Sequence, residues 1–171
     1  MDIEWPSYTT ENPCFWEHEW DCHGSCSNFS QQNYFQKTLD LHKRYDIAAA
    51  LAAKGIQPSE TPVSRSDFLD ALEADFGVRP LLYCQGGGGK DYINEIFMCF
   101  TQDLKAVNCE KVCRTQPCEP RGAQQCNDEL IYKLGPVASK AERPCSNNFR
   151  QCHEKSGTCK RGNQLGLNMS A

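Results

Sequence analysis

Phe15-Trp16-Glu17-His18-Glu19-Trp20-Asp21-Cys22-His23-Gly24-Ser25-Cys26 gathers histidines, carboxylates and tryptophans into one short run. The run is expected to be a helix stopped by Gly24, since glycine tolerates the positive φ of a helix end. At about 100° per residue, His18, Glu19, Cys22 and His23 fall within roughly 140° of arc. Trp16 and Trp20 are four residues apart on another side, as an apolar anchor against the core. One face is therefore ionisable and the other is a large hydrophobic backing. Burying several ionisable groups without a use is costly, so the pattern points to catalytic groups on a rigid element.

A zinc protease is rejected on spacing. His-Glu-x-x-His places its histidines four apart on one helix face, whereas His18 and His23 are five apart and diverge by roughly 140° on an α-helix. His18 and Cys22 do have the four-residue spacing, but two ligands make no site without others. No metal and no cofactor are expected.

The motif Phe-Trp-Glu-His-Glu-Trp-x-x-His-Gly-x-Cys resembles the second active-site motif of the ribonuclease T2 family, secreted transferase-type endoribonucleases. The family form ends in Lys-His-Gly-Thr-Cys; here Cys22 replaces the lysine and Ser25 the threonine. The resemblance extends over Trp5 to Cys118. It takes in Trp5-Pro6 with Cys14, the run from Tyr34-Phe35 to Gly55-Ile56-x-Pro58, and Ile93-Asn94-Glu95-Ile96 before Cys99. It implies roles by position: His23 the general base, His18 the phosphate holder and Glu19 a transition-state stabiliser. It also implies single-stranded RNA as substrate and a 2′,3′-cyclic phosphate as first product. Two disulfides follow from it, Cys84–Cys118 and Cys99–Cys109. Cys26 is expected to pair outside this sequence, with Cys14 and Cys22 re-paired or left as thiols.

Two parts of the family's machinery are not in this sequence. Cys22 brings no charge where the lysine would. The first motif, around His-Gly-Leu-Trp-Pro, should precede Trp5 and would supply the acid and a base-stacking tryptophan. The chain is thus expected to be the C-terminal two-thirds of such an enzyme, weak or inactive as a nuclease. The alternative is a dead homologue acting as a storage or interaction protein.

The 171 residues suffice for a domain with a hydrophobic core. A net charge of −4 gives no global basic field, which excludes a protein that coats long nucleic acid. Twelve cysteines point to disulfides in an oxidising compartment. No Cys-x-x-Cys pair supports a zinc module instead. The triplets Asn28-Phe29-Ser30 and Asn168-Met169-Ser170 make Asn28 and Asn168 candidate glycosylation sites. A secreted or vacuolar location is expected, although Met1 opens no apolar signal segment. No membrane association is expected, and the protein is expected to be a monomer.

Gln32 to Lys54 reads as one helix, with Tyr34, Thr38, Leu41, Tyr45, Ala48 and Leu51 inward. His42 lies among charged residues and reads as surface. Ser64 caps a second helix running to Phe76, and Gly77 closes it. Strands are expected at Arg79–Cys84, at Tyr92–Phe100 and over Leu104–Val107. Gln85-Gly86-Gly87-Gly88-Gly89-Lys90 lacks the Lys-Ser/Thr of a phosphate loop and reads as a flexible hairpin loop. Glu95, an acid in a central strand, reads equally as cleft or solvated face. The fold expected is α+β, a mainly antiparallel sheet with packed helices, incomplete at the N-terminus. Residues 1–120 form the ribonuclease-like domain and 121–171 a cysteine-rich extension. Over Lys140–Arg161 that extension carries six basic residues against two acidic ones, read as a solvated, poorly ordered tail.

Overall fold

A computed structural model describes residues 1–7, 10–25, 27–87, 89–110, 124–134 and 164–169, with the backbone alone at 87, 124 and 164–169. Backbone contacts divide the chain into two units: Met1–Lys43 with Pro136–Gly162, and Arg44–Gly135 with Asn163–Ala171.

The first unit is built on aromatic packing. Helix α1 (Asn12–Glu19) starts with proline in its first turn and runs into a single π-helical turn, Trp20–Gly24. Helix α2 (Gln31–Arg44) follows, ending one residue into the second unit. Trp5 meets the rings of both Phe15 and Phe35 edge-on, and Trp20 meets Tyr34 in the same manner. Each such ring pair adds about 0.5–1.5 kcal/mol beyond its buried area. Trp16 Nε1 donates to the Trp5 carbonyl at 2.9 Å, satisfying the indole. Lys43 pairs with Glu4 at 2.7 Å, so the N-terminal segment is held to both helices. The expected tryptophan anchor is present, with neighbours supplied from within this unit.

The expected single helix over Gln32–Lys54 is two. After α2, Tyr45 and Asp46 leave helical geometry, and helix α3 (Ile47–Ala52) begins afresh. Asp46 causes the restart: its carboxylate accepts from the Ala49 backbone N–H at 2.9 Å as an N-cap. The break shifts the apolar face. Ile47 and Ala50 are buried and Ala48 is exposed, where unbroken periodicity would have turned Ala48 inward. His42 is exposed, as read.

In the second unit, strand β1 (Val63–Ser64) leads into α4 (Arg65–Phe76). The Ser64 hydroxyl accepts from the Asp67 N–H, and Gly77 closes the helix at φ +72°. Strands β2 (Leu81–Gly87) and β3 (Lys90–Thr101) form an antiparallel hairpin with the glycine run at its tip. The expected loop is therefore partly ladder: Gly86 pairs with Asp91 and Gly87 with Lys90. β4 (Ala106–Val107) pairs back onto Cys99–Phe100 as expected. β5 (Gln124–Gln125) pairs with β2, β6 (Glu129–Leu130) with β1, and β7 (Gln164–Met169) with Ile96–Thr101 of β3. Residues beyond Arg121 thus add strands to the sheet. The tail around Lys140–Arg161 lies outside the described residues.

Alternation along β3 sorts its two faces. Ile96, Met98 and Phe100 are fully buried, as are Leu51 of α3 and Phe68 and Leu72 of α4. Tyr45 bridges Phe76 and Phe100 by ring contacts, joining helix and sheet. Each such side chain contributes about 1.5–3 kcal/mol on burial. On the opposite face Cys99 and Cys109 pack with Leu81, Phe97 and Val107, and these cysteines are bonded as expected.

The expected Cys84–Cys118 bond is not formed; Cys84 bonds Cys126. Strand pairing decides this. Cys84 stands opposite Gln124 and Tyr83 opposite Gln125, which brings Cys126 to a Cα separation of 4.9 Å from Cys84, within disulfide range. Cys118 lies outside the described residues.

Candidate active site

The expected plain helix at Phe15–Gly24 is an α-helix that widens at its end. The Ser25 N–H donates to the Trp20 carbonyl five residues back, at 2.7 Å. Gly24 permits this closure. It is buried, and a Cβ there would stand 2.5 Å from the Trp20 ring and 2.9 Å from the Tyr34 ring. Any side chain would push the turn open.

The widened turn changes the geometry of the histidines. On an α-helix, positions five apart fan out; in a turn closed by an i→i+5 bond they come back over one another. His18 and His23 lie with ring centroids 5.8 Å apart and planes at 82°. With Glu19 they offer three ligand atoms, one per residue, all within 4.8 Å of each other. The three residues expected to be catalytic are brought together, more tightly than α-helical arc predicts.

The electrostatics separate their roles. Desolvation raises the Glu19 carboxyl to about 7, so it is largely protonated in mildly acidic solution. His23 is exposed overall, yet desolvation of its ring, with a contribution from the His18 charge, lowers its pKa below the usual 6.5. It therefore stays neutral, and a proton acceptor, at lower pH than a free imidazole. Buried Tyr34 stands close enough for the Glu19 charge to join burial in raising its phenol pKa. Its helical spacing reads as core alone and does not signal proximity to Glu19.

Cys22 is disulfide-bonded, as is Cys14, and no described cysteine is free. The Cys22 Sγ lies 3.2 Å from His18 Nδ1. A disulfide sulfur carries no hydrogen, so in this contact Nδ1–H is the donor, and the lone pair of a neutral His18 ring resides on Nε2.

Elsewhere, Glu95 stands opposite Tyr83 in the sheet, half-buried, and its Oε2 is shielded from solvent without a hydrogen-bond partner among the described residues. Asn28 is exposed, and the backbone of Asn168 lies opposite Phe97 in β7. A polar cleft of about 710 Å³ in the second unit, bordered by Arg65, Lys90, Asp91 and Asp128, contains no histidine. No described helix is long and apolar enough to cross a membrane.

The Ribonuclease T2 family model matches residues 1–109. Pig ribonuclease T2 is 33% identical over 148 residues, covering 80% of this chain and 70% of its own length. Human ribonuclease T2 is 32% identical over 159 residues, covering 86% and 59%. The mouse ribonuclease T2-A match spans only 51% of that protein, so the chain covers roughly half to seven-tenths of such relatives. The crystal structure of human RNase T2 superposes with a TM-score of 0.62 at 32% identity, over 71% of this chain and 61% of that one. RNase NT in complex with 5′-AMP gives 0.66 at 25% identity, over 78% and 64%. Sequence motif, α+β architecture and these likenesses agree: the chain belongs to the ribonuclease T2 family.

Proposed function

We propose that this chain carries part of the active site of an endoribonuclease that cleaves single-stranded RNA by transphosphorylation. The observation that carries the reading is the convergence of His18, Glu19 and His23 within 4.8 Å. In the reaction, the 2′-oxygen loses its proton, attacks phosphorus and closes a 2′,3′-cyclic phosphate while the P–O5′ bond breaks. His23, kept neutral by desolvation, takes the 2′ proton. Glu19, protonated below about pH 7, donates to a phosphorane oxygen. His18, oriented through Nδ1, holds the phosphate. The departing 5′-oxygen needs a proton that, by the family resemblance, comes from a histidine of the family's first motif. Cys22, disulfide-bonded, brings no positive charge to the phosphorane where the family form has a lysine, so cleavage by this chain is weak.

RNase NT binds 5′-AMP, which supports a nucleoside monophosphate as the simplest ligand to test. Isothermal titration with 5′-AMP at pH 6, beside a gel assay on single-stranded RNA, tests the reading. Binding lost in His18→Ala and His23→Ala supports it; brisk cleavage by this chain would refute the weakness, and no nucleotide binding would refute the site.

A second reading, a non-enzymatic storage or interaction protein, is favoured by one observation: the position of the family lysine is a cysteine held in a disulfide. Disulfides at Cys84–Cys126 and Cys99–Cys109 support a secreted or vacuolar location, with exposed Asn28 as the better-supported glycan site. A monomer, and a ribonuclease-like domain over 1–120 with an extension over 121–171, complete the proposal.

A further inference from the structure

We propose that the disulfide of Cys22 is a site of thiol–disulfide exchange: a dithiol reductant opens it, and the thiolate released beside His18 weakens phosphate binding. The gating half of this rests on the reading of His18 as the phosphate holder; the exchange half does not. Two observations single out this bond. The first is access. Cys22 is half-buried, whereas every other described cysteine is at most 5% exposed. An attacking thiolate must reach a disulfide sulfur, so burial protects the bonds at Cys84–Cys126 and Cys99–Cys109.

The second observation is the neighbour. Cys22 Sγ lies 3.2 Å from His18 Nδ1, close enough to receive its N–H. The second unit, which holds the other two described disulfides, contains no histidine. A histidine beside a cysteine favours its thiolate, and the thiol that more readily forms a thiolate is the faster leaving group. In the exchange, one thiolate of the reductant attacks the sulfur bonded to Cys22, and its lone pair forms the new S–S bond. The old bond breaks, and its electron pair leaves on Cys22 Sγ, where the His18 N–H stabilises it. The reductant's second thiol loses its proton to solvent and displaces the protein from the mixed disulfide. The reductant ends as a cyclic disulfide and the chain as two reduced cysteines, so two electrons have passed to the protein.

The change matters because of where the charge appears. Oxidised, Cys22 Sγ is a weak, uncharged acceptor for Nδ1. Reduced, it is an anion against the ring that holds the phosphate, and it repels that phosphate. Treatment of the full chain with dithiothreitol at pH 7 without denaturant, quenched with iodoacetamide and followed by peptide mapping, measures the exchange. Cys22 is expected to be alkylated at least about tenfold faster than Cys84, Cys99, Cys109 and Cys126. His18→Ala should slow the opening of the Cys22 bond on the order of tenfold. Affinity for 5′-AMP should fall about tenfold on selective reduction and recover on reoxidation with glutathione disulfide. In Cys22→Ser the affinity should be the same with and without reductant.

Alkylation of Cys22 no faster than that of the buried cysteines overturns the exchange site, and the parent chain alone decides this. Selective reduction of Cys22 with unchanged 5′-AMP affinity overturns the gate. No 5′-AMP binding in either redox state overturns the ribonuclease reading and the gate with it, while the alkylation rates still decide the exchange site.

Discussion

The sulfur of Cys22 rests 3.2 Å from Nδ1 of His18, at the position where the family resemblance puts a lysine. A disulfide sulfur accepts one weak hydrogen bond there and brings no charge. Cys22→Lys is expected to tighten 5′-AMP binding at pH 6 by up to about tenfold, the worth of a partly exposed charge-assisted hydrogen bond. It also removes a disulfide, which typically costs about 2–5 kcal/mol of stability. Cys22→Ser separates the two effects, with the same loss of stability and no gain in affinity. Equal nucleotide affinity in the lysine and serine variants would show that this position does not reach the phosphate.

The Glu19 carboxyl, raised to about 7, should govern the pH dependence of the site. Ionised, it opposes a phosphate; protonated, it can donate to one. Affinity for 5′-AMP is expected to fall as pH rises through about 7, and Glu19→Gln to flatten that fall. Stability moves in the same direction. A carboxyl whose folded pKa lies above its unfolded value contributes stability fully present below about 4.5, and loses it as pH rises through about 7. His23, with its pKa lowered, acts oppositely and only below its usual 6.5. Above pH 6.5, where His23 is neutral in both states, only the Glu19 contribution is still changing, and it is lost as pH passes through about 7. Solvent screening of this partly exposed group reduces the difference between parent and Glu19→Gln to about 1 kcal/mol. Thermal melts at pH 5 and 8 measure it; equal losses of melting temperature in both proteins would contradict the desolvation of Glu19.

The sequence made the identity of the three site residues legible because their types are rare neighbours, but not how closely they converge. Convergence depends on a backbone widening that no residue spacing announces. Its cause, the lack of room for a side chain at Gly24, is visible only once Tyr34 of another helix is known to lie across the turn. The break at Asp46 was hidden for a related reason. An aspartate inside a periodic run can be a solvated helix residue or a new N-cap, and packing of Ile47 and Ala50 decides between them. The caps at Ser64 and Gly77 were readable because they are local. The partner of Cys84 was not, because it depends on the pairing of β5 with β2, forty residues apart in the chain.

Gly24→Ala tests the π-turn directly. The added methyl meets the Trp20 ring at 2.5 Å and the Tyr34 ring at 2.9 Å, and overpacking of this kind costs about 1–3 kcal/mol. The turn is expected to relax toward α-helical geometry, carrying His23 away from His18. Urea unfolding should show the loss of stability, and 5′-AMP binding should fall with it. If the variant were as stable as the parent and bound nucleotide equally, the close packing over Gly24 could not be what holds the histidines together.

The two described disulfides should differ in their contributions to stability. Cys84–Cys126 closes a sequence separation of 42 and Cys99–Cys109 one of 10. On the chain-entropy view the longer loop stabilises by about 4 kcal/mol and the shorter by about 3 kcal/mol. Both bonds are buried, so the packing lost on substitution is similar and the loop term sets the order. The longer bond has a second effect: β5 is only two residues long, and a ladder that short holds its place only with the covalent tie beside it. The paired variants Cys84→Ala with Cys126→Ala, and Cys99→Ala with Cys109→Ala, are therefore expected to lose stability in that order in urea. The first pair should also lose the protection of the Gln124–Gln125 amides from hydrogen exchange. Peptide mapping of the unreduced protein should recover Cys84 linked to Cys126; a fragment joining Cys84 to Cys118 would mean that β5 does not pair with β2 in this register.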